Sequence, residues 1–181
     1  MTGLDVAAVL GGSGPHLDAL AALALAGPPG AWIGAGFVRN AVWDSLAGRV
    51  PEVATLADLD VVFLDTATPP ARDAAFEASL RAARPLPWSV TNQAWMAAAH
   101  EHAPYRDLAD ALAHWPETAT AVAARLAAGR VELLAPHGVE DLLSMTLRPT
   151  PAHAADPGIL HARMAAKGWR ARWLGLRLDA G

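Results

Sequence analysis

Two short apolar runs with an amphipathic segment between them form the clearest pattern in the chain. The first, Ala31-Trp32-Ile33, leads into Gly34-Ala35-Gly36, and the second, Val61-Val62-Phe63-Leu64, follows Asp58-Leu59-Asp60. Continuous runs of this length, bounded by glycine or by polar loops, read as central strands covered on both faces. Between them Phe37, Val38, Arg39, Asn40 and Trp43 have helical spacing, which predicts a helix opened by the glycine turn. Gly48 to Ala57 is then a loop, either part of a substrate wall or a spacer.

On either side of this block the pattern predicts mostly helix. Asp5 to Leu10 reads as a short helix ended by Gly11-Gly12-Ser13-Gly14, a segment that follows no strand, carries no Lys-Ser/Thr and so reads as a linker rather than a phosphate loop. Pro15 to Ala26 reads as a helix with proline in its first turn, leucines at 17, 20, 23 and 25 directed at a sheet, and Gly27-Pro28-Pro29-Gly30 as its stop. Thr68-Pro69-Pro70 begins another, with Phe76 and Leu80 on one face and Arg72, Asp73, Glu77 and Arg81 on a solvated one. A strand is expected over Trp88–Asn92, then helices from near Ala94 to His100-Glu101-His102 and from Pro104-Tyr105 through Leu108, Leu112 and Trp115. Thr118 to Leu126 and Val131 to Leu134, joined by Ala127-Ala128-Gly129-Arg130, have the form of a hairpin, although the alanine-rich first arm is equally compatible with helix. Gly138 to Leu143 predicts a short helix, Thr146 to Pro151 an extended segment, and about 157–174 a terminal helix rich in Arg and Trp.

Composition narrows the class. With 181 residues, 53% of them apolar, the chain is expected to build one domain with a helical appendage, and a disordered protein is excluded. A net charge of −4 argues against strong non-specific binding to nucleic acid, which needs a basic field. The absence of cysteine excludes disulfides and thiolate metal sites and suits the cytoplasm. Ala24-Leu25-Ala26 has the look of a cleavage site, but the first basic side chain is Arg39, and Asp5, His16 and Asp18 interrupt the apolar run. No export signal and no membrane span are therefore expected.

The candidate chemistry lies in the central block. Side chains alternate along a strand, so Asp58 and Asp60 project to the same side and together can hold a hard divalent cation, magnesium or manganese. The alternative is that Asp58 is a turn residue and Asp60 a solvated strand end. Gly34, Ala35 and Gly36 stand where a strand turns into a helix, a place at which backbone N–H groups and the helix dipole favour a phosphate. Arg39, one turn in, can reach the same anion with a forked bond, with Asn40 beside it. Elsewhere, His100 and His102 form a His-x-His triplet with no third zinc ligand at a recognisable spacing, which favours a solvated helix end. The Arg and Trp residues of the last helix either stack on a base or pack the tryptophans on the body and leave the arginines in water. Lys167, the sole lysine, is a further candidate for a triphosphate.

Ala35-Gly36-Phe37-Val38-Arg39-Asn40, then Gly48 and Asp58-Leu59-Asp60, resembles the head of the CCA-adding tRNA nucleotidyltransferases, whose motif reads Gly-Gly-x-Val-Arg-Asp followed by Asp-x-Asp. Adding Asn92-Gln93, Trp115-Pro116-Glu117-Thr118, and Ala135-Pro136 with Asp141-Leu142, the chain is similar to a family of short bacterial nucleotidyltransferase-like proteins in the DNA polymerase beta superfamily. The resemblance implies an α+β fold, a mixed sheet flanked by helices, and it decides for strand in the first arm of the hairpin. It also implies magnesium-dependent transfer of a nucleoside monophosphate from a nucleoside triphosphate to an acceptor hydroxyl on a small molecule, a protein or RNA. A third carboxylate on a neighbouring strand is part of that pattern. Here its best-aligned position is Asn92, which cannot take a proton, with Asp65, Glu117 or Glu132 as substitutes. A nucleotidyltransferase fold that binds nucleotide or a partner without turnover, and a hydrolase using the same carboxylates on a phosphate ester, are the competing readings.

Overall fold

The computed structural model describes residues 4–156 and 158–179. Helices α1 (Val6–Gly11) and α2 (Gly14–Ala26) precede strand β1 (Trp32–Gly34), helix α3 (Gly36–Leu46) and strand β2 (Leu59–Phe63). Helix α4 (Asp73–Ala83) returns the chain to strand β3 (Trp88–Asn92), and the short helices α5 (Met96–Ala99) and α6 (Leu108–Ala113) follow. Strands β4 (Ala123–Ala127) and β5 (Arg130–Leu134) form a hairpin. Helix α7 (Glu140–Leu143), strand β6 (Thr146–Leu147), helices α8 (Gly158–Ala166) and α9 (Trp169–Arg172) and strand β7 (Arg177–Leu178) complete the chain.

The five strands of the main sheet run in the order β3-β2-β1-β4-β5. Within this sheet β2 and β3 pair in parallel, joined across α4, and the other neighbours are antiparallel, so the sheet is mixed and the fold is α+β as expected. The alternation of β2 decides what lies on each side. Leu59, Val61 and Phe63 enter the main core with Leu20 and Leu23 of α2 and Leu80 of α4, whereas Val62 joins a smaller cluster with Leu112 and Ala123 on the opposite face. Asp60 shares the face of Val62. Of the leucines expected against the sheet, Leu25 is instead 85% exposed, because it lies off the stripe that contains Leu20 and Leu23.

Three local expectations need correction. The charged face of α4 is not simply solvated: Glu77 accepts the Val90 N–H (3.0 Å), Asp73 the Asn92 N–H (3.1 Å), and Arg81 donates to the Trp88 carbonyl (3.0 Å). β3 is an edge strand, and these side chains occupy backbone groups that would otherwise be free to pair with another chain. The first arm of the hairpin begins at Ala123 rather than Thr118, and its turn is the residue pair Ala128 and Gly129, both at positive φ, the geometry that matches strand twist. The terminal helix is broken at Gly168, which adopts a left-handed conformation (φ 63°) and separates α8 from α9. Its expected start at 157 lies outside the described residues.

The last segment is fastened to α3. Trp173 and Trp169 meet the ring of Trp43 edge-on, with centroids 5.1 and 6.2 Å away. Asp44, 2% exposed, accepts hydrogen bonds from Trp173 Nε1 (2.9 Å), Arg172 (2.7 Å) and Arg49 (2.7 Å). Those donors hold its carboxyl below the usual carboxylate range despite burial, which acts the other way. The tryptophans are therefore core residues, and the buried acid is satisfied.

Candidate active site

Strand β1 ends at Gly34, and the chain turns into α3 at Ala35, which holds φ 52° and ψ −122°. This is glycine-favoured backbone occupied by a residue with a Cβ, at the position where the motif of the resembled family has glycine. Helix α3 has no side-chain cap, so the amides of its first turn lack intrahelical acceptors. Gly34 and Gly36 serve different ends. A Cβ on Gly34 would come within 2.8 Å of the Trp115 ring, so that glycine permits packing beneath an indole. Ala35 and Gly36 line a cavity of about 360 Å³, and Gly34 does not.

Asp58 and Asp60 line the same cavity. Asp58 is exposed just ahead of β2 and Asp60 is half-buried within it. Neither makes a side-chain hydrogen bond or ion pair among the described residues. Burial, and then the charge of Asp58, raise the Asp60 carboxyl to about 6; Arg39, Lys167 and Arg163 act in the opposite sense. Asn40, Thr55, Leu56 and Ala57 add to the walls, so the 48–57 loop does contribute to this cavity.

Arg39 is 6% exposed and fixed from several directions. It donates to Thr120 Oγ1 (3.0 Å) and Asn40 Oδ1 (2.9 Å), and its guanidinium lies over the Trp169 ring. Its buried Nε–H has no acceptor among the described residues. Desolvation lowers it to about 10, which leaves it charged at neutral pH. Arg163, Lys167 and Arg172 reach the cavity from the C-terminal segment. Arg163 is paired with Glu117, which is fully buried, and Arg172 with Asp44, while Lys167 has no ion pair among the described residues. Arg163 and Arg172 are thus not simply in water, whereas Arg170 is exposed. Thr120 was not distinguishable in the sequence as a site residue, because it arrives from an irregular segment, and Arg163 stands out there only as one of the arginines of the last helix.

Asn92 is not beside the acids. In the parallel ladder Asp60 is level with Ser89 and Phe63 with Asn92, so the Asn92 side chain takes the face of Phe63, opposite that of Asp60. It is 1% exposed and saturated: its Nδ2 donates to the carbonyls of Asp65 and Thr68, and its Oδ1 accepts from the N–H groups of Asp65 and Ala94. The substitutes fare no better. Asp65 caps its own turn through Ala67 and Thr68, Glu132 pairs with Arg125 on the hairpin, and Glu117 is spent on Arg163. Among the described residues no group of three His or acidic side chains is arranged to hold a metal, so the triad the resemblance implies is here a pair.

A second cavity, of about 590 Å³, also has Asp60 in its lining. The two cavities share Ala35, Asp60, Thr120 and Arg163. Ser89 and Thr91 of β3 form one wall, and Tyr105, Trp115 and the imidazoles of His100, His102, His114 and His153 form much of the rest. His100 is the exposed C-cap of α5, a helix end as expected, whereas His102 shares a hydrogen bond with the Tyr105 hydroxyl (2.8 Å).

A model of a nucleotidyltransferase family matches residues 20–178, which is nearly the whole chain. The chain belongs to that family. A solved structure described as revealing a CCA-adding enzyme head domain matches this nucleotidyltransferase-family chain with a TM-score of 0.81 at 30% identity, covering 96% of this chain and 94% of that one. A CCA-adding enzyme in complex with CTP matches with a TM-score of 0.61 at 16% identity, over 97% of this chain and 43% of that one, a likeness that shows the fold alone. The chain spans less than half the length of that enzyme. No curated protein matches. Nucleotidyl transfer is thus the chemistry of the family, and among the described residues no helix is long and apolar enough to cross a membrane.

Proposed function

We propose that the chain transfers a nucleoside monophosphate from a nucleoside triphosphate to an acceptor hydroxyl, using magnesium or, in its place, manganese. The observation that supports this most is that Asp58 and Asp60 share one cavity with the Ala35–Gly36 turn and with Arg39, Arg163, Lys167 and Arg172. A polyphosphate needs anion donors at one end and a cation-binding pair of carboxylates at the other, and this cavity offers both. The donor set fits the ion: two carboxylates without hydrogen-bond or ion-pair partners among the described residues, one of them raised by burial and then by its neighbour, are hard oxygen ligands in want of positive charge. Asp58 and Asp60 would hold it. Once bound, a divalent cation supplies charge neutralisation to the α-phosphate and the leaving pyrophosphate.

The chain's own residues have separate tasks. The uncapped start of α3 offers backbone N–H groups to the phosphate tail. Arg39, clamped by Thr120 and Asn40, contributes a fixed positive charge, and Lys167 a mobile one. The CTP complex of the structural relative is consistent with a triphosphate substrate here.

A second reading, a module that binds nucleotide without transferring it, draws on the missing third acid beside Asp60. Incubating the chain with magnesium, each α-labelled triphosphate and a set of hydroxyl acceptors separates the two. Pyrophosphate release and labelled product support transfer; magnesium-dependent binding with no product supports the module.

A further inference from the structure

We propose that the second cavity is the acceptor site and that it takes a small hydroxyl-bearing molecule with a flat aromatic group. This deepens the transfer reading and rests on it. In an in-line displacement the entering and leaving oxygens stand on opposite sides of the phosphorus. The two cavities meet at Asp60, Thr120 and Arg163, which line both; the α end of a triphosphate held in the cationic cavity is proposed to lie at these shared residues, with the acceptor on the side of the second cavity. Ser89 and Thr91 are level with Asp60 and Val62 in the parallel ladder, so they line that space on the same face of the sheet as Asp60.

The lining selects the occupant. Tyr105, Trp115, His102 and His114 line it with aromatic rings, and Met96 and Ile159 add apolar surface, a surrounding suited to a planar ring. The volume, about 590 Å³, lies within the range of small-molecule sites. A polynucleotide acceptor would call for a basic track along its backbone, whereas the chain carries −4 and the cationic side chain lining this cavity, Arg163, is committed to Glu117.

The cavity also supplies a proton acceptor. His114 Nδ1 lies 2.8 Å from the Asp110 carbonyl oxygen, which can only accept, so in the neutral ring Nδ1 carries the hydrogen and Nε2 keeps its lone pair. In the step proposed, the acceptor oxygen bonds to the α-phosphorus and its proton passes to His114 Nε2. The bond from the α-phosphorus to the α,β-bridging oxygen breaks, and pyrophosphate leaves with the electron pair.

The test begins with calorimetric titration of α,β-methylene-ATP and magnesium into the chain, followed by adenosine as an aromatic alcohol probe. Adenosine is expected to bind the saturated protein without displacing the analogue. Met96→Trp, which fills the second cavity, is expected to weaken adenosine at least tenfold and leave the analogue within twofold. With labelled ATP, adenosine and tyramine should be labelled in preference to glucose or a single-stranded RNA trimer, and His114→Gln should lower turnover at saturating adenosine about a hundredfold. Displacement of the analogue by adenosine would assign the cavity to the nucleotide's own base and overturn the inference, as would labelling of glucose or RNA instead of the aromatic alcohols. Co-binding in the unaltered protein stands as a test even if Met96→Trp does not fold. An analogue that fails to bind at all with magnesium refutes the transfer reading itself, and that result is read before adenosine is added.

Discussion

The guanidinium of Arg39 lies 4.3 Å from the ring centroid of Trp169, with Trp43 5.4 Å away on another side. The motif arginine near the start of the chain is thus held in place by a tryptophan near its end, and site and fold share one contact. Lysine has neither the flat face for stacking nor the fork that reaches Thr120 and Asn40 together. Arg39→Lys is expected to lower stability by about 1–2 kcal/mol, measured by urea unfolding, from the lost stacking and hydrogen bonds. It should also weaken triphosphate binding by about tenfold.

Ala35 stands in backbone that glycine adopts without strain. Ala35→Gly should relieve that strain while adding entropy to the unfolded chain, for a net gain of about 1 kcal/mol. Thermal unfolding checks it: a lowered melting temperature would show that the turn is not strained.

His16 is buried, 4.8 Å from the Phe37 ring, and shares a hydrogen bond with Ser13. Burial lowers it to about 4 from an ordinary 6.5. The folded chain therefore prefers the neutral ring, and the unfolded chain takes up the proton first. Its contribution is complete above about pH 6.5 and is lost as the pH falls toward 4, about 2 kcal/mol of it by pH 5. Urea unfolding of the unaltered chain and of His16→Gln across pH 5–8 should show a shallower pH dependence in the variant. Parallel curves would contradict the assignment.

Asn92 donates two hydrogen bonds to carbonyl oxygens. Asn92→Asp would set a carboxylate against those oxygens and cost about 2–3 kcal/mol, without raising transfer activity, because the side chain is on the far face of the sheet from Asp60. A gain in activity would restore Asn92 to the catalytic position that sequence alignment gives it.

That contrast shows what the sequence could and could not carry. The strand, glycine turn, helix and Asp-x-Asp strand were legible because each rests on a local period or a turn requirement, and the family motif supplied the order. Alternation along β2 was enough to place Asp60 opposite Phe63. The register of β3 against β2 was not legible, since one residue's slip moves a side chain to the other face, and so Asn92 was misplaced. Glu117 and the last-helix arginines stand out in the sequence, but the pairing of Glu117 with Arg163 and the place of Thr120 beside them were out of reach, because they arise from tertiary packing between an irregular segment and α8. The break at Gly168 came from a single glycine inside a helical pattern, which the pattern tolerates.

The central claim is that Asp58 and Asp60 hold a cation that binds polyphosphate at the α3 turn. Calorimetric titration of α,β-methylene-ATP into the chain and into Asp60→Asn, each with and without magnesium, tests it most directly. Binding that needs magnesium in the unaltered chain and is lost in a folded Asp60→Asn is the result expected. Equal affinity in all four titrations would contradict it.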